Sequence, residues 1–301
     1  MQDIKHLKNQ IYYKRGYIMK TFGATIKEIR KSKGLKIKDV AGEDMTVSLL
    51  SKFERGESDI TSAKFHKILD RLNVSNDEFM YFNRNLKPND HKHFLSLLQH
   101  LTTKQDIIGL ERLGQSQIKK YQETNNVRFL HNSVVTKAHI CRLQNKKLEN
   151  SKKTLISNYL YSVEIWGKYE IELFNNIMFI FEMSELKMLA RISVNRMEEY
   201  KDLENFKIHS IHLQLNLTLI LIEYKDYLQA KVFMNRLRKT ITGPFLMFEY
   251  CKLVFLEGIL DIETNNKGEG IKQCKRAINL LYDFSLYDIA NDHMNYLKKY
   301  L

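Results

Sequence analysis

Between Met45 and Asp59 the chain reads Thr46-Val47-Ser48-Leu49-Leu50-Ser51-Lys52-Phe53-Glu54-Arg55-Gly56-Glu57-Ser58. As a helix, this segment is capped at its start by Thr46 and stopped by Gly56. Short hydroxyls, a branched apolar side chain and a lysine occupy one side, while Leu50 and Phe53 occupy the other. A short helix with that polar face can enter a DNA major groove and read base edges. Covalent chemistry has no comparable support. The chain has no Gly-rich phosphate loop, HExxH, GxSxG or paired-cysteine motif. His91 and His93 stand beside Asp90, but in a polar connecting stretch where solvated histidines are the simpler reading. No enzyme, cofactor or metal site is expected.

Reading bases requires cations on the flanking phosphates. Residues 1–38 carry eleven lysines and arginines, among them Lys27, Lys36 and Lys38, against only Asp3 and Glu28. Arg55 adds a cation at the end of the polar helix. The whole chain holds 48 basic and 35 acidic residues, net +13, which favours an anionic partner. Part of that excess follows from a composition rich in Lys, Asn, Ile and Tyr. Its concentration beside the polar helix is what phosphate contacts require.

The elements around that helix are readable from spacing. Phe22 to Lys33 places Ile26, Ile29 and Arg30 on one face and ends at Gly34; Ile37 to Ala41 forms a short second helix. Ser62 to Leu72 carries Phe65, Ile68, Leu69 and Leu72 at i, i+3, i+4 and i+7. Ser75-Asn76-Asp77-Glu78 is a capping box opening a fifth helix with Phe79 and Phe82 inward. Residues 84–92, with one of the two prolines, are the expected linker after a head of residues 19–83. Residues 1–18 read as a basic leader, with Met19 as the better initiator.

Beyond the linker, helical periodicity runs almost to the end, and period-two alternation is absent. Breaks at Thr102, Asn125, Asn150, Gly167, Ser184, Tyr200 to Glu204, Thr240 to Pro244, Asn265 to Gly268 and Ser285 leave helices of hairpin length. The expectation is an all-α protein whose residues 93–301 form a right-handed array of tetratricopeptide-like hairpins. Two pairs support it, one within Ile211–Leu237 and one within Cys251–Leu281. Their offset is roughly 40 residues, against 34 in the usual repeat. Thr218, Ala230, Gly258, Gly270 and Ala277 are the small residues where crossing helices approach. Cys141, Cys251 and Cys274 are too sparse and scattered for a disulfide framework. With no apolar leader and no long uncharged run, a cytoplasmic protein without a membrane span is expected.

The head resembles the Cro/phage-repressor type of helix-turn-helix domain. That resemblance implies that Thr46 also touches phosphate, that Ser48, Leu49 and Lys52 face base edges, and that Val47 meets a thymine methyl. It makes Arg30 and Glu54 an internal structural pair and Leu50 and Phe53 core. The turn between Ala41 and Thr46 is one residue shorter than the commonest form and lacks its glycine. Residues 160–176 (Leu160 to Asn176, containing Trp166, Tyr169, Leu173 and Phe174) and Ser48 to Ile60 are similar to the Rgg/GadR/MutR regulators. Residues 19–301 fit that family's length and domain order. The aromatic stretch itself is read as inter-helix core.

Membership implies a cytoplasmic, homodimeric transcription regulator that binds double-stranded DNA. In many members the concave repeat face receives a short hydrophobic signalling peptide. Aligning the two hairpin pairs puts His212, Leu215, Leu219, Ile222 and Glu223 on that face, with Lys252, Phe255, Ile259, Ile262 and Glu263 beside them. An apolar centre with charged flanks suits such a peptide. The same residues fit equally well against a terminal helix or a second subunit. A stand-alone regulator without a peptide, and a helical-repeat adaptor with incidental DNA binding, stay open as alternatives.

Overall fold

Hydroxyl caps set the starts of the N-terminal helices. Thr21, Thr46, Thr61 and Ser75 precede α1 (Phe22–Ser32), α3 (Val47–Glu54), α4 (Ser62–Leu72) and α5 (Asn76–Asn83), and each accepts the backbone N–H three residues on. Such a cap contributes about 1 kcal/mol. The short α2 (Ile37–Ala41) has no hydroxyl cap; Asp39 instead accepts the Lys36 backbone N–H at 2.8 Å. In this computed structural model the described residues are 20–199 and 204–301, and every element among them is helical. The basic leader and Met19 lie outside the described residues, as does most of the break expected at Tyr200 to Glu204.

One core holds the five helices together: Ile26, Ile29, Val40, Leu50, Phe53, Ile68, Leu72 and Phe79 are all buried. Gly23 permits the closest approach. A Cβ there would lie 1.8 Å from the Phe53 carbonyl oxygen, so any side chain would push α1 off the end of α3. Gly42 ends α2 with φ 54°, and Arg71 of α4 donates to the Val40 and Ala41 carbonyls at 3.2 and 2.8 Å. Contrary to expectation, the short turn does hold a glycine, Gly42, at its first position and with positive φ, and an arginine on the orphaned helix end. Phe82 departs from expectation. It is 44% exposed, because Phe79 together with Phe22 and Phe65 already fills the space over which α5 packs.

α6 spans Asp90–Thr103, so the last residues of the expected linker are helical. The chain divides into two compact units within this helix, between Leu97 and Leu98. The second unit continues through α7 (Ile107–Thr124), α8 (Val127–Leu143), α9 (Asn150–Ser162), α10 (Lys168–Ile177) and α11 (Met183–Glu199). It closes with α12 (Glu204–Glu223), α13 (Tyr227–Thr240), α14 (Met247–Glu263), α15 (Lys267–Asp283) and α16 (Tyr287–Leu297). Consecutive helices pair as hairpins, most extensively α7 with α8, α12 with α13 and α14 with α15; α8, α10, α12 and α14 also pack side by side in one row.

The crossing of α14 and α15 is set by two glycines. A Cβ on Gly258 would lie 2.7 Å from the Gly270 carbonyl oxygen, and one on Gly270 only 2.4 Å from that of Gly258. Thr218, Ala230 and Ala277, the other small residues singled out, are fully buried. Trp166 is also fully buried; its indole N–H donates to the Leu160 carbonyl at 3.0 Å and its ring meets Phe174 edge-on at 5.7 Å. Leu173 and Phe174 share that core. Tyr169 does not: it is half-buried, with its hydroxyl 2.8 Å from His131 Nδ1.

Candidate DNA-reading face and repeat-unit cavity

α3 is anchored from below and bare above. Leu50 and Phe53 sit in the head core, and Glu54, 4% exposed, accepts two bonds from the Arg30 guanidinium at 2.7 and 2.8 Å. Arg30 also donates to the Leu35 carbonyl at 2.7 Å. The carboxylate hydrogen bond, opposed by burial, raises the arginine pKa further. This pair ties α1 to α3 and leaves Arg30 unable to reach a nucleic acid.

The opposite side of α3 carries Val47, 49% exposed, with Ser48 and Lys52, both exposed. Thr46 is exposed as well, but its hydroxyl accepts the Leu49 backbone N–H at 3.1 Å, so its cap and any phosphate contact share one side chain. Leu49 is half-buried and packs on the head core, which places it at the border of the reading face. Lys36 and Lys38 are exposed; Lys27 is half-buried.

Arg55 is exposed, yet its guanidinium fork is taken by Glu57 at 2.7 and 2.8 Å, with Ser51 at 2.5 Å. The Glu57 carboxylate raises the Arg55 pKa through that bond. Glu57 follows Arg55 by two residues, and the left-handed turn at Gly56 between them, with φ 75°, brings the two side chains together.

In the second unit a cavity of about 190 Å³ opens beside α12, α14 and α16. α12 contributes Leu215, Asn216 and Leu219; α14 contributes Lys252, Phe255 and Leu256; α16 contributes Asp292, His293 and Tyr296. Of the residues expected on a ligand face, Leu215, Leu219, Lys252 and Phe255 come together here. Ile222 and Ile259 do not; they are 1% and 0% exposed, within the hydrophobic core of the unit. Ile262 is half-buried and packs on that core from outside the cavity. α12 is apolar on nearly every side, so a face assigned from spacing alone runs into the side that meets neighbouring helices.

Phe255 serves as both wall and core. It is 4% exposed, with His293 edge-on at 4.5 Å and Tyr296 at 6.2 Å. Tyr296 also donates to Glu223 at 3.1 Å, and Tyr227 donates to Glu263 at 2.8 Å, so both flanking acids are engaged inside the unit. His212 Nε2 lies 2.8 Å from Glu249, and Asn216 donates to Asn175 of α10 at 2.9 Å. Packing against a terminal helix, the other reading of this face, holds for Phe255, which His293 and Tyr296 of α16 cover; which α16 residues would do so was not readable. Their signal was the return of an amphipathic helix after Ser285, which fixes no partner. Asn216, three residues before Leu219 on the same face, was findable.

Among the described residues no group of three or more His, Cys, Asp or Glu side chains could hold a metal ion, and no helix is long and apolar enough to cross a membrane. All three cysteines are free and buried.

Known proteins place this arrangement. Residues 26–79 match a helix-turn-helix family model. The chain resembles a crystal structure from Listeria monocytogenes EGD-e assigned to the transcriptional regulators, at 25% identity and a TM-score of 0.81, covering 94% of this chain and 98% of that one. It also resembles the SHP pheromone receptor Rgg2 of Streptococcus dysgalactiae (20% identity, TM-score 0.74, covering 93% and 100%) and the PrgX/cCF10 complex (14%, 0.69, covering 93% and 99%). At these identities the last two speak to the fold. Residues 111–295 match the C-terminal domain of the HTH-type transcriptional regulator Rgg, and the chain belongs to that family of DNA-binding transcription regulators.

Proposed function

We propose that the protein is a homodimeric, sequence-specific regulator of transcription in which α3 reads one operator half-site and a short hydrophobic peptide bound in the repeat unit controls it. In this reading the head is of the Cro/phage-repressor type and the second unit is a right-handed tetratricopeptide-like array. The observation that carries the first part is the two-sided construction of α3. Its inner side is fixed by Leu50, Phe53 and the Arg30–Glu54 pair, while Val47, Ser48 and Lys52 face outward. A helix held rigidly from behind can present side chains to base edges without spending order on binding.

The second part rests on the cavity, whose wall is apolar at Leu215, Leu219 and Phe255 and polar at Asn216 and Lys252. A similar fold occurs in a pheromone receptor and in a PrgX/cCF10 complex. The ligand would bias the relative placement of two heads in a dimer and so the half-site spacing they fit. Selection of genomic fragments by the purified chain, with and without culture supernatant, tests both parts. Recovery of one recurring palindromic sequence, altered by supernatant, is the expected result. Fragments without a shared sequence would refute the regulator reading. A shared sequence indifferent to supernatant and to synthetic peptides would leave a peptide-independent regulator.

A further inference from the structure

Lys252 is the unusual group of the cavity. It is half-buried, and its ammonium stands 4.7 Å over the Phe248 ring. Among the described residues no carboxylate lies within ion-pair distance of it. The nearest acid in sequence, Glu249, is occupied by His212 at 2.8 Å. Asp292 lines the same cavity without pairing with Lys252; burial, and then the neighbouring Asp288, shift its carboxyl pKa upward. Burial holds the Lys252 pKa below its usual value against the opposing pull of the Glu249 charge, and burial together with the lysine keeps His293 low. A partly desolvated cation costs free energy unless an anion arrives to meet it.

The size of the space says which anion. At about 190 Å³ the cavity is smaller than the roughly 300–1,000 Å³ of clefts that engulf a drug-sized ligand. A space of this size fits the end of a chain, with one apolar side chain against Leu219 and Phe255. We infer that Lys252 is the anchor for the free C-terminal carboxylate of the bound peptide, and that this contact gives the site its preference for one chain end and one orientation. The inference rests on the peptide-binding reading above and adds to it the ligand chemistry. Asn216 lines the same cavity, and the amide groups left over from its bond to Asn175 would bond the terminal peptide unit.

The test uses the full chain and a synthetic pool of N-acetylated octapeptides built from Leu, Ile, Val and Phe. The pool is made with a free C-terminal acid, with a C-terminal amide, and with the amide plus aspartate as the last residue. Binding is followed by fluorescence anisotropy. The free-acid pool should bind about tenfold or more tighter than the amide, as a charge-assisted hydrogen bond in a dry site allows. In Lys252→Met that difference should vanish while the melting temperature holds or rises, because a half-buried cation is replaced by an apolar chain of similar length. Lys252→Gln provides a second variant should the first fail to fold, and the acid–amide comparison on the unaltered chain depends on neither. Equal binding of acid and amide overturns the inference, as does a difference that survives in the Lys252 variants. An aspartyl amide that binds like the free acid overturns the terminal assignment in favour of a side-chain carboxylate. If no form binds, the peptide reading itself fails, and this inference with it.

Discussion

Arg30 and Glu54 show how one side-chain pair can decide between two uses of an arginine. Both are nearly inaccessible and bidentate, so removing one partner leaves a buried charge unpaired, which costs roughly 3–5 kcal/mol. Glu54→Gln should therefore lower head stability by that order, with loss of DNA binding only as its consequence. A double-mutant cycle with Arg30→Met, read by denaturant unfolding, should show strong coupling; additive effects would dissolve the pair. Arg55 is the opposite case, an exposed cation whose fork is held by Glu57. Glu57→Gln should free it for phosphate, tightening binding to random DNA and steepening the salt dependence by about one charge. An unchanged salt slope would show that Arg55 does not approach the backbone. The Arg30–Glu54 pair was legible from its resemblance to a known motif. The Arg55–Glu57 pair was not, because its geometry depends on the left-handed turn at Gly56.

Elements carry the next kind of consequence. The helices of the head were legible nearly to the residue, because hydroxyl caps open four of the five, glycines end the first three, and apolar spacing agrees with both. The repeat unit was legible as hairpins, but the faces of α12 and α14 were not. A helix that is apolar all round gives no phase, and Ile222 and Ile259 fall on its core side while Phe255 is covered by α16. Phe255→Ala should consequently cost about 3–5 kcal/mol as a core truncation, which makes it a poor probe of ligand binding; the half-buried Leu219 is the better one. Leu219→Ala should weaken a peptide response with a smaller loss of melting temperature. Equal losses for the two variants would place Leu219 in the core instead.

Polar groups within the array give a pH signature. His131 is 1% exposed between Tyr159 and Tyr169, and burial pushes its pKa down to about 4; His139, bonded to the Asn176 carbonyl, is also pushed down to about 4. Below the unfolded value near 6.5 the unfolded chain takes up protons that the folded one refuses. Stability is therefore full above that pH and falls progressively from about pH 6.5 to 4. The expected size is about 3 kcal/mol for His131. Denaturant midpoints of the repeat unit measured at pH 7.5 and 5 should show the drop, reduced in His131→Gln. A midpoint insensitive to pH would mean that water reaches the ring.

At the scale of the molecule, the chain forms two compact units, and the proposed function gives DNA reading to one and dimerisation to the other. A single α3 offers few base contacts, each good bidentate pair discriminating by about 1–3 kcal/mol. In the proposed dimer, two heads joined through their repeat units would convert the second binding event into an intramolecular one, raising affinity by about 10²–10⁴ without new contacts. That gain depends on geometry, since half-sites must lie on the same side of the duplex, about 34–36 Å apart or a multiple of it. Once an operator is known, inserting about five base pairs between its half-sites should turn one of them to the far side of the duplex and abolish the gain, while about ten base pairs should restore part of it. Destroying one half-site should cost as much as the five-pair insertion. Tight binding that ignores the insertion would mean that the heads act independently; the peptide could not then work by changing their spacing, and control would have to act on each head alone.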